Sequence, residues 1–259
     1  MIPAWRLGIA MLLVGVAILL SRLRRLSLET ELAIGAVRAA VQLVAIGFAL
    51  RLVFASDAPL VVGLVVLAMG LVAGWTAASR LRVRTRTVFP YTLASIALGA
   101  AAALVPVFLL VIPPRPWFEP RVVIPISGMM LSSAMNVVAQ VFERLLASAE
   151  TDEATLEGYL ALGATPKQAF APSERAALRA ALIPTINGLV TVGLVALPGM
   201  MTGQIVNGAA PEQAVRYQIV IMYMLVVVAA VAGYAATWFA RRLVFTSDGM
   251  LRGRGPERR

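Results

Sequence analysis

The 259-residue sequence has no cysteine and no histidine. Their absence excludes disulfides, thiolate or imidazole metal ligands, and histidine acid–base chemistry. Without them no nucleophile–base pair stands out, so the chain reads as a non-enzyme. Charge is scarce as well. Only 14% of residues are charged against 60% hydrophobic, a balance too apolar for an ordinary soluble domain. No G-x-x-x-x-G-K-[ST] phosphate loop occurs, so the chain cannot cradle ATP by itself and is expected to bind no cofactor.

What is present is a series of apolar runs, several longer than the ~18 residues that a spanning helix needs. Seven spans are predicted: about Ile2 to Leu20, Leu32 to Phe54, Leu60 to Ala78, Val88 to Ile112, Val122 to Phe142, Leu182 to Ile205 and Tyr217 to Phe239. The first is read as a retained anchor with Trp5 at an interface. Its arginines follow the apolar run, and no small-x-small cleavage site is obvious. The rigid turn Pro113-Pro114-Arg115-Pro116-Trp117 ends the fourth span.

The net charge of +10 is mostly arginine, and its placement is more informative than its size. The loops after the first, third and fifth spans hold Arg22, Arg24 and Arg25, then Arg80, Arg82, Arg84 and Arg86, then Arg144, Lys167, Arg175 and Arg179. The C-terminal tail is arginine-rich too. The alternate loops hold only Arg51, Arg115, Arg121 and Arg216. This bias predicts an N-terminus outside and a C-terminus in the cytoplasm. No aromatic residue interleaves with the arginine ladder, so a nucleic-acid surface is not expected. The fold class is therefore an all-α integral membrane bundle of about seven helices. Its membrane domain covers 1–245, with a cytoplasmic helix-turn-helix loop over 144–181 and a basic, disordered tail over 246–259.

Polar groups inside the spans mark candidate paths or contacts. In the second span Glu31, Arg38 and Gln42 fall within about 40° on a helical wheel, on a face that also holds Gly35, Ala45 and Ala49. Arg38 either snorkels to the headgroups, pairs with Glu31, or faces a substrate path. In the fifth span Met129, Ser132, Asn136, Gln140 and Glu143 fall within about 80°. Such a stripe is costly against lipid, so it should face protein, as hydrogen-bonded glue, or a water-filled path. In the sixth span Asn187 and Thr191 share a face, and Pro198-Gly199 is predicted to interrupt the helix and orphan the carbonyl of Leu194. Thr202, Gln204 and Asn207 follow directly. The oxygen donors Asn136, Gln140, Glu143 and Thr191 suit hard cations. Met129, Met130, Met200 and Met201 either serve a soft ion or simply pack.

The long polar stretch Thr151–Pro184 separates the fifth and sixth spans. Thr151 and Asp152 are expected to cap a short helix that Gly163 terminates. Thr165, Pro166 and Gln168 then read as N-cap, first helical residue and return half of a capping box. Leu156, Tyr159, Leu160, Leu162 and Phe170 offer apolar knobs, fit either for a partner or for the headgroup surface.

Glu157-Gly158-Tyr159-Leu160-Ala161-Leu162-Gly163-Ala164-Thr165-Pro166 resembles the EAA-type loop of ABC-transporter permeases, with Gly158 and Tyr159 where alanines are usual. Leu197-Pro198-Gly199-Met200-Met201-Thr202-Gly203-Gln204-Ile205 and Tyr217-Gln218-Ile219-Val220-Ile221-Met222 resemble the FetB-type permease family, as do Arg38-Ala39-Ala40-Val41-Gln42-Leu43 and Ile126-Ser127-Gly128-Met129-Met130. That family is linked to iron export in bacteria, and its plant relatives to aluminium tolerance. The resemblance implies a homodimeric permease in the plasma (inner) membrane, powered by a separate cytoplasmic ABC ATPase that uses ATP. Glu157, Tyr159, Leu160, Gly163, Thr165 and Pro166 would couple to that ATPase. Arg38, Gln42, Asn136, Gln140, Glu143, Asn187, Thr191, Pro198, Thr202 and Gln204 are the candidate substrate path, with the metal ligands unknown. The alternatives are an ion-coupled secondary transporter or an ABC permease for a non-metal substrate.

Overall fold

The computed structural model describes residues 4–25, 27–54, 58–81 and 83–252. Ile2, Asp57, Arg82, the Trp5 side chain and the tail over 253–259 lie outside the described residues. Contacts divide the chain into two units, Met1–Ala58 and Pro59–Arg259.

The first unit is a helical hairpin of α1 (Ala4–Leu23) and α2 (Glu29–Phe54). Its bend is tied by Ser21, which is buried. The Ser21 hydroxyl donates to Glu29 Oε1 at 3.1 Å and accepts from the Leu28 amide at 3.2 Å. Among the described residues of α2 none is buried. Arg38 is exposed, and among the described residues it forms no ion pair with Glu31.

The second unit contains α3 (Pro59–Ser79), α4 (Thr85–Pro106), α5 (Pro120–Thr151), α6 (Glu153–Ala161), α7 (Pro166–Thr191), α8 (Gly199–Val206) and α9 (Pro211–Val244). A π-helical turn, Val107–Val111, extends α4, with the Ile112 amide donating to the Val107 carbonyl at 2.8 Å. α9 is the hub and packs against α4, α5, α7 and α8. Its buried residues Val228, Ala232, Gly233, Ala236 and Ala240 recur at helical spacing. Small side chains let the backbones meet: a Cβ on Gly99 of α4 would lie 2.5 Å from the Ala232 Cβ. In lipid, where apolar surface gains nothing by leaving the solvent, this close packing is what draws helices together.

Among the described residues, five helices are long and apolar enough to cross a membrane: Glu29–Phe54, Pro59–Ser79, Thr85–Val111, Pro120–Thr151 and Pro211–Val244. A shorter apolar stretch, Leu12–Leu23, lies in α1. The expected sixth span is not one helix. α7 ends at Thr191 and α8 begins at Gly199. Pro198 is therefore the N-cap of α8: the helix is interrupted, as the sequence predicts, but the interruption begins before Pro198. Leu194 is not helical either, so its carbonyl loses no helical donor. The carbonyl of Thr191 closes the turn by accepting from the amides of Leu194, Val195 and Ala196 at 3.3, 2.9 and 3.3 Å.

Candidate functional site

The break between α7 and α8 forms one wall of an open cleft of about 810 Å³. From α5 it receives Met129, Ser132, Ser133, Asn136 and Gln140. From α7 it receives Pro184, Thr185, Gly188 and Thr191, from the break Val192 and Pro198, and from α9 Met222. The polar stripe of the fifth span thus faces protein across a hollow. Among the described residues, neither Asn136 nor Gln140 spends its side chain on a hydrogen bond, so both amides stay available to an occupant. Pro184 supplies no N–H, so the Ala180 carbonyl lacks its i+4 helical donor.

The remaining candidates lie elsewhere. Glu143 is exposed one turn beyond the cleft, and Asn187 is exposed with its carbonyl accepting from the Thr191 hydroxyl at 2.8 Å. The Thr202 hydroxyl donates to the Pro198 carbonyl at 3.1 Å. Gln204 is half-buried, and among the described residues its amide oxygen has no partner. Gln42 lines a shallow groove of α2 with Ala39, Ala45 and Ala49. Of the methionines, Met130 is buried in the core.

Sequence reasoning missed Gln218 as a site residue. It is 5% exposed, its amide oxygen is unpaired among the described residues, and it lines a second cavity of about 450 Å³. Its sequence signals are an amide in an apolar run and a place in a stretch resembling the FetB-type permeases, neither of which distinguishes a buried face from an exposed one.

The polar stretch between α5 and α7 forms a corner. α6 ends where Gly163 takes φ +89, and the Gly163 and Ala164 amides donate to the Leu160 and Tyr159 carbonyls at 2.9 and 3.0 Å. Only glycine takes this left-handed turn without strain. Thr165 caps α7 through the full capping box: the Gln168 amide donates to Thr165 Oγ1 at 3.3 Å and the Thr165 amide to Gln168 Oε1 at 2.9 Å. Thr151 does not cap α6. It is the last residue of α5, and its hydroxyl donates to the Ala147 carbonyl at 2.9 Å. Asp152 occupies the cap position without a side-chain bond; its carboxylate instead accepts from Ser148 at 2.8 Å.

The apolar knobs divide in two. Leu156 and Phe170 are buried within the chain, Phe170 against Phe245 with ring centroids 5.6 Å apart. Tyr159 and Leu162 are 47% and 87% exposed. Leu160 and Pro166 are half-buried, and Glu157 is exposed. Thr246–Arg252 is ordered as a turn, with a bridge between Phe245 and Leu251. Together with Thr165, Pro166, Lys167, Arg241 and Arg242 it encloses a basic hollow beside the corner. Glu174 stands 3.2 Å from Arg241 as an ion pair without hydrogen-bond alignment. Burial raises the Glu174 pKa above the ordinary glutamate range, and Arg241 and Lys167 only partly pull it back.

Residues 4–245 match the model of a family described as "Uncharacterised protein family (UPF0014)". The chain belongs to the UPF0014 family. Among its relatives, the "Probable iron export permease protein FetB" of Escherichia coli is 36% identical over 95% of this chain and 93% of FetB. The rice (Oryza sativa) UPF0014 membrane protein STAR2 is 38% identical over 90% of this chain and 80% of its own length. ALUMINUM SENSITIVE 3 of Arabidopsis thaliana is 37% identical over 92% and 85%. No solved structure matches significantly. With its long apolar helices, this UPF0014 chain is a multi-pass membrane protein.

Proposed function

We propose that this chain is the membrane-spanning permease of an ABC transporter that exports iron or a related metal ion. The single observation that carries the reading is the course of α7. Its 26 residues run without a break from the capped corner to the wall of the cleft, roughly 39 Å at 1.5 Å per residue. A continuous helix with one end at an exposed apolar knob and the other at a polar hollow suits a part that converts a push outside the membrane into a change of access within it. A cargo that binds the two access states unequally is then moved by whatever drives the switch.

In this reading the chain crosses the plasma (inner) membrane seven times. α1 is the first crossing, and the broken α7–α8 pair is the sixth. The arginine distribution puts the N-terminus outside and the α6 corner in the cytoplasm. An ABC ATPase receives Tyr159 and Leu162 in a groove and hydrolyses the ATP; the permease itself is no enzyme and holds no cofactor. Two permeases pair with two ATPases, because one chain offers one corner. The metal cargo is carried over from the name of FetB. In inverted vesicles, uptake of ferrous ion should require both ATP and a co-expressed ABC ATPase. Uptake that proceeds on an ion gradient without an ATPase would refute the proposal.

A further inference from the structure

The second cavity shares Val192, Pro198 and Met222 with the main cleft. The α7–α8 break is thus the partition between two hollows, one lined by Asn136 and Gln140 and the other by Gln218. Buried amide oxygens almost always find a donor. Gln218, in a helix and 5% exposed, has none among the described residues. An acceptor without a protein donor, facing a hollow, calls for an occupant that brings an N–H or O–H of its own.

The rest of the lining narrows the chemistry. Among the described residues, the side chains around both hollows are neutral: hydroxyls, amides, thioethers and hydrocarbon. Neutral carbonyl oxygens can join the shell of a bare ion, but a tight site for a divalent or trivalent ion stripped of its water adds carboxylates, imidazoles or thiolates, and neither hollow offers one. Neutral amide oxygens instead accept hydrogen bonds from water or amine already bound to a metal. The sizes agree. Six waters at about 30 Å³ each occupy roughly 180 Å³, well within cavities of about 450 and 810 Å³.

Taking the metal-transport reading above as its basis, we infer that the cargo crosses with its own ligand shell intact, and that Gln218 reads that shell from the outer sphere in a second station behind the Val192–Pro198 partition. Asn136 and Gln140 do the same in the first station. The amide oxygens accept from the cargo's bound water, and no protein atom enters the metal's coordination sphere.

Hexaamminecobalt(III), whose ammines do not exchange, separates the two modes of binding. Full-length protein in phosphatidylcholine nanodiscs is loaded with ferrous ion under anaerobic conditions and titrated with the cobalt complex. Displacement at comparable concentrations is expected. Gln218→Leu should weaken both ligands about tenfold, the worth of one hydrogen bond to a charged group. The same substitution should leave the melting temperature unchanged or raised, because it removes an unpaired buried amide. A purely structural glutamine would give the opposite sign. Tight ferrous binding that the cobalt complex does not displace would establish inner-sphere ligation and overturn the inference while sparing the transporter reading. Unaltered binding in Gln218→Leu would overturn the role of Gln218. Failure of wild-type protein to bind either ion would overturn the metal reading itself.

Discussion

Replacing Gly99 by alanine tests the packing on which the second unit depends. The added methyl would sit 2.5 Å from the Ala232 Cβ and 3.0 Å from both the Ala232 nitrogen and the Val228 carbonyl oxygen. Carbon atoms rest about 3.5–4.0 Å apart, so α4 and α9 must separate by about 1 Å. No rotamer can relieve the clash, since the opposing atoms are backbone and Cβ. The displaced helices also carry the neighbouring contacts of Thr92, Ala100, Ala103 and Ala236, all buried. Overpacking of this kind costs about 1–3 kcal/mol, offset by up to about 1 kcal/mol from the helix preference of alanine over glycine. A net loss of about 1–2 kcal/mol corresponds to a fall of roughly 2–8 °C in Tm for a chain of this size. Gly63→Ala in α3 is the control, because a Cβ there meets nothing within 4 Å; it should be neutral or slightly stabilising. Thermal melts in one detergent at one scan rate give the ranking, the fixed rate being needed because membrane proteins unfold irreversibly. If Gly99→Ala melts at or above wild type, the close α4–α9 contact is not what holds the unit together.

Gly163→Val meets no neighbour, so its cost is the left-handed backbone alone, roughly 1–2 kcal/mol; with Glu157→Arg it should leave insertion intact and weaken co-purification with the ATPase, and normal coupling in both would remove the docking claim. Asn136→Leu and Gln140→Leu should impair transport while preserving assembly, which vesicle uptake and pull-down measure side by side. A reporter inserted near Ser148 should report cytoplasm and one near Pro114 the outside; the reverse at Pro114 would overturn the seven-crossing topology. Burial raises the Glu174 pKa in the fold, so folding takes up protons there. Its contribution is fully present below the unfolded pKa and is lost as pH rises through the folded one. Glu174→Gln should flatten the pH dependence of Tm in that window, and an unchanged slope would refute the assignment.

The sequence by itself determined what depends on neighbours along the chain. Apolar runs set the membrane helices because lipid tolerates no unpaired backbone. Gly163 and the Thr165–Gln168 pair set the α6–α7 corner because a left-handed turn and a capping box are local geometries. The polar stripe of α5 was legible for the same reason, since 100° per residue places Met129, Ser132, Asn136 and Gln140 on one face. Tertiary structure decided everything that needs a second element. Whether Leu156 and Phe170 are knobs or core depends on what covers them, and Phe245 arrives from the far end of the chain to cover Phe170. Pro198 announces a break, but where the break starts is decided by the Thr191 carbonyl collecting three amides. The solitude of Gln218 is a tertiary property as well. Its burial comes from α9 packing as the hub, and a helical wheel records spacing but not which helix, or which hollow, stands opposite.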